Sequence, residues 1–86
     1  MTLKKIGDTE VFHVVRKEAC FDRACDEAWR RAVSIARIDE DGHSTIEGWD
    51  RSSSFIEMEF VSYIKQAGSD NLYTFKVTAK ESDDEL

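Results

Sequence analysis

Apolar and polar residues alternate along this chain with two different periods, and each change of period marks an element. Between Val11 and Lys17, the β-branched and aromatic residues Val11, Phe12, Val14 and Val15 predict a first strand. Both of its faces are partly apolar, the pattern of a strand covered on both sides, so it is expected at the centre of a sheet. From Cys20 to Arg37 the period lengthens. Phe21, Ala24, Cys25, Ala28, Ala32, Ile35 and Ala36 fall on one face of a helix. The alanines on that face let a helix backbone sit close to its partner, which suits packing against a sheet. Period two then returns. Ile56, Met58, Phe60 and Ile64 predict the apolar face of a second strand, with Glu57, Glu59, Val61, Tyr63 and Lys65 on its other side. After a turn at Ala67-Gly68-Ser69-Asp70-Asn71, a third strand alternates Tyr73, Phe75, Val77 and Ala79 with Thr74, Lys76, Thr78 and Lys80.

The elements read as β-α-β-β, an α+β fold in which one amphipathic helix packs on a small, mainly antiparallel sheet. A hairpin of the last two strands sets Glu57 and Glu59 near Lys76 and Lys80, a cross-strand charge match. Residues 38–54 carry weaker signals: a turn at Glu40-Asp41-Gly42-His43 and a short strand around Thr45–Trp49. At the helix ends, Cys20 takes the capping position normally held by Ser, Thr or Asp, and the helix is expected to stop near Arg37. Asp26–Arg30 and Glu27–Arg31 are spaced as i, i+4 ion pairs.

At 86 residues, the length corresponds to one domain, expected over 1–80, with 81–86 as an acidic disordered tail. The net charge of −6 is uneven: residues 1–37 hold eight Lys or Arg against six Asp or Glu, and 38–86 hold four against twelve. That balance makes nucleic-acid binding an unexpected role. No apolar run reaches the roughly 20 residues of a membrane span, and the first ten residues lack a signal-peptide core, so a cytoplasmic protein is expected. Cys20 and Cys25 would lie about 140° apart on the helix, the wrong geometry for a disulfide, and are expected as free thiols.

Catalytic and metal-binding patterns are largely missing from the sequence. There is no phosphate-cradling glycine loop. Aligning Gly42 with the glycine of a calcium loop puts Arg37 at the first ligand position and Gly48 where a bidentate Glu is needed, so that match fails. Cys20, Cys25, His13 and His43 lack the close paired spacing of a zinc site. Ser53, His43 and Asp50 are near only in sequence, which is no evidence for a triad. Two residues stay as candidates for a small enzyme: His13, an acid–base residue alternating with Val11 and Val15, and Cys20, whose thiolate a helix N-terminus would stabilise. Arg23, Arg30 and Arg37 form one stripe beside acidic neighbours, as on an ordinary solvated face.

The helical stretch Phe21-Asp22-Arg23-Ala24-Cys25-Asp26-Glu27-Ala28-Trp29-Arg30-Arg31-Ala32, between a first strand and a hairpin, resembles the helix of dodecins. That resemblance implies a flavin-binding oligomer, with Trp49 as the counterpart of the Trp that stacks on flavin. Residues 38–54 depart from the dodecin pattern. From the residues themselves, the expected function is a binding or regulatory module acting through protein contacts, of the kind that phage inhibitors exemplify, with no cofactor. Its contact surface is the sheet face away from the helix, assigned to Val61, Tyr63, Trp49, Val11 and Val15. A homodimer is the simplest way to cover such a face.

Overall fold

The computed structural model describes residues 2–66, 68 and 70–82. Strand β1 (Thr9–Arg16) leads into helix α1 (Phe21–Ala36). A long connection then reaches β2 (Ser54–Lys65), which turns back into β3 (Asn71–Glu81). The expected β-α-β-β order and antiparallel sheet are present, but the strand order is β1-β3-β2. β3, not β1, is therefore central. It pairs antiparallel with both neighbours, so β1 and β2 run parallel to each other with β3 between them. Glu81 belongs to β3, and the Ser82 N–H donates to the Ser53 carbonyl, so pairing continues past residue 80. Residues 83–86, the rest of the expected acidic tail, lie outside the described residues, as do Ala67 and Ser69 of the expected turn.

Ala24, Ala28, Ala32 and Ala36 are fully buried and form the contact stripe of α1. With no side chain beyond Cβ, they bring the helix down onto Phe12 and Val14 of β1, Ile56 of β2, and Tyr73, Phe75, Val77 and Ala79 of β3. Cys20 is the N-cap in extended conformation and makes no side-chain capping bond. At the other end Arg37 takes a left-handed conformation (φ 57°), and its N–H returns to the Ser34 carbonyl, ending the helix where the spacing predicts. Glu27 pairs with Arg16 of β1 at 2.8 Å rather than with Arg31. Arg31 instead donates to the His13 carbonyl on the free edge of β1 and lies over the Phe12 ring.

The core also takes Leu3 and Ile46 from outside the regular elements. The Ile6 N–H donates to the Glu47 carbonyl and the Glu47 N–H to the Lys4 carbonyl, joining the N-terminal segment to the α1–β2 connection. The strand expected around Trp49 reduces to a single parallel bridge between Lys5 and Glu47. The turn at Gly42 does form: Gly42 has a φ of 84°, and the Asp39 carboxylate accepts the N–H groups of Asp41 and His43.

Candidate contact face and aromatic pocket

Directly paired residues on neighbouring strands point to the same side of a sheet, so the register assigns each side chain to a face. The side away from α1 carries three-strand rows. Val15, Leu72 and Ile64 form an apolar row at one end, followed by His13, Thr74 and Ser62, then by Val11, Lys76 and Glu59. Thr9, Thr78 and Glu57 follow, with Phe55 and Lys80 at the far end. Val11 and Val15 are 51% exposed and Ile64 54%. The expected cross-strand charge match is present: Lys76 lies 3.6 Å from Glu59, and Lys80 lies 2.5 Å from Glu57. His13 Nδ1 and Thr74 Oγ1 are 3.0 Å apart in the middle of this face. The four charged residues of the face cancel, so it is neutral within a chain of net charge −6.

Of the five residues assigned to this face from the sequence, the structure brings Val11 and Val15 to it, leaves Val61 exposed at a bulge outside the register, and places Tyr63 and Trp49 elsewhere. A β-bulge between Phe60 and Ser62 makes Val61 an extra residue and reverses the alternation beyond it. Tyr63 is thereby turned to the helix side, where its ring lies 4.9 Å from that of Tyr73, and Ile64 takes the outward position. Trp49 is half-buried against the core, and its Nε1–H donates to the Gly42 carbonyl at 2.8 Å, closing the α1–β2 connection. Ile64, expected on the helix side with Ile56, Met58 and Phe60, instead joins Leu72 on the outer face, because the even-numbered phase of β2 does not survive the bulge.

On the helix side, near the start of α1, Ala19, Phe21, Phe60, Tyr63 and Tyr73 line an open pocket of about 420 Å³. Phe21 and Phe60 meet edge to face with centroids 5.1 Å apart, and the ring of Tyr73 lies 6.3 Å from that of Phe21. Desolvation, followed by the neighbouring Tyr63, raises the Tyr73 pKa and keeps its phenol protonated. Buried Asn71 ties Tyr63 of this pocket to the end of β1. Its Nδ2 donates to the carbonyls of Arg16 and Lys17, and its Oδ1 accepts the Tyr63 hydroxyl proton at 2.5 Å.

The remaining candidate residues are dispersed. Cys20 and Cys25 are both free and half-buried. Burial and the nearby Asp22 and Asp26 raise the Cys25 pKa, which disfavours its thiolate. Asp39, Asp41 and His43 bring ligand-type atoms within 4.8 Å of one another, all exposed, and the Asp39 carboxylate already closes the Gly42 turn. Among the described residues, no helix is long and apolar enough to cross a membrane. Comparisons with protein-family models, curated proteins and solved structures find no match to this chain.

Proposed function

We propose that this chain is a small cytoplasmic protein-binding module, not an enzyme, and that a second copy covers its outer sheet face to form a homodimer. The observation that carries this reading is the apolar row Val15, Leu72 and Ile64 on the sheet face opposite α1, the one helix among the described residues. Three strands about 4.8 Å apart and about ten residues long give a footprint of roughly 460 Å² before side-chain relief is added. A stable interface takes roughly 600 to 1,000 Å² of accessible surface per partner, so the whole face, its charged rows included, would have to be covered.

The sheet edges are less suited to a partner than the face. Arg31 occupies the His13 carbonyl on the β1 edge, and the bulge at Val61 interrupts the β2 edge. Both features oppose the addition of a further strand. Replacing both Val15 and Ile64 with Asp tests the reading: light scattering should show a dimer for the original chain and a monomer with unchanged circular dichroism for the variant. A variant that remained dimeric would exclude this face.

A further inference from the structure

From the aromatic pocket on the other side of the sheet, we infer that this chain binds a small uncharged aromatic ring compound carrying one N–H or O–H donor. This inference does not depend on dimerisation, because the pocket and the outer face lie on opposite sides of the sheet. The ring character of the ligand follows from the walls. Phe21, Phe60 and Tyr63 are each nearly half exposed, and with buried Tyr73 they present ring faces and edges to one volume of about 420 Å³. That volume lies within the range of roughly 300 to 1,000 Å³ typical of small-molecule sites. Among the described residues, no charged side chain lines the pocket. Arg16, the cation close to Tyr73, is engaged by Glu18 and Glu27 at 2.8 Å each. An anionic ligand would therefore find the nearest cation already paired with two carboxylates.

The donor requirement follows from Asn71. Because Nδ2 faces two backbone carbonyls, which only accept, the amide orientation is fixed and Oδ1 faces Tyr63. The Tyr63 hydroxyl then gives its proton to Asn71, so any further hydrogen bond it makes is as an acceptor. A phenol held this way accepts from a ligand.

The test is a titration of the full chain with indole and, separately, with 1-methylindole, which has the same rings but no N–H, followed by amide chemical shifts. Indole should shift Ala19, Phe21, Phe60, Tyr63 and Tyr73 saturably, with a Kd on the order of 0.1 to 1 mM for so small a ligand. 1-Methylindole should bind roughly tenfold more weakly, the loss of about one hydrogen bond. Tyr63→Phe, checked for an intact spectrum, should erase the difference between the two ligands. Equal affinity of the two ligands for the original chain would overturn the donor assignment without any variant. Shifts confined to the outer sheet face, or no saturation below about 5 mM, would overturn the site itself.

Discussion

Replacing Ala28 with Leu tests how α1 meets the sheet. Ala28 is 0% exposed at the middle of a stripe of four alanines, above a layer in which Val14, Phe75 and Val77 are also enclosed. Leu adds three carbon atoms. If a void were present they would add roughly 0.8 kcal/mol of burial each, and the variant would be more stable. At zero exposure the added atoms meet helix and sheet neighbours rather than solvent. The helix must lift or its neighbours leave their preferred rotamers, at a cost of about 1 to 3 kcal/mol. For a domain of this size that cost lowers Tm by about 4 to 24 °C. It is a large part of the roughly 4 to 13 kcal/mol expected to hold 86 residues folded. Thermal melts followed by circular dichroism, at matched protein concentration, measure it. Trp29→Leu, on the exposed side of the same helix, should stay within about 0.5 kcal/mol. A Tm for Ala28→Leu that is unchanged or higher would refute close helix–sheet packing.

Asn71→Ala removes the acceptor of the Tyr63 hydroxyl and the donor to two carbonyls, and should cost about 2 to 4 kcal/mol in denaturant unfolding. A loss below 1 kcal/mol would mean that water replaces the network at little cost. The carboxylate pKa values of Asp8 and Asp50 are lowered chiefly by backbone N–H groups, and that of Glu18 by Arg16. Groups depressed in the folded state contribute their stability above the ordinary carboxylate range near pH 4 and lose it as pH falls through their lowered values. Tm should therefore hold between about pH 7 and 5 and decline below about pH 4, and a rise on acidification would contradict this. In a thiol assay on single Cys→Ser variants, Cys25 should react more slowly than Cys20, because burial and two nearby aspartates hold its thiol protonated. Equal rates would refute that environment.

The helix was legible almost to the residue because its stripe is a local signal, alanine recurring at the spacing of one face, although Cys20 at its start makes no capping bond. The three strands were legible from alternation for the same reason. Their order was not. Pairing β1 with β3 joins Thr9 to Thr78, a contact that no local period encodes, and the two-sided apolar pattern of β1 arises from an exposed outer face rather than a central position. The bulge had the largest consequence for the site. One extra residue at Val61 exchanged Tyr63 for Ile64 on the outer face, moving a tyrosine into the aromatic pocket and completing the apolar row. Leu3 and Ile46 are isolated apolar residues in polar surroundings, so their place in the core depends on contacts between distant segments.

Self-association across a salt series is the most direct measurement of the central claim. The outer face is neutral, while the rest of the chain supplies the net charge of −6 that makes two copies repel. Screening shortens that repulsion to about 8 Å at physiological ionic strength and to about 3 Å at 1 M salt. Apolar contact through Val15, Leu72 and Ile64 should therefore strengthen as salt rises. Sedimentation equilibrium should report a mass moving from the 9.9 kDa of one chain towards twice that value as salt is added. A mass fixed at that of one chain at every salt concentration would contradict the account.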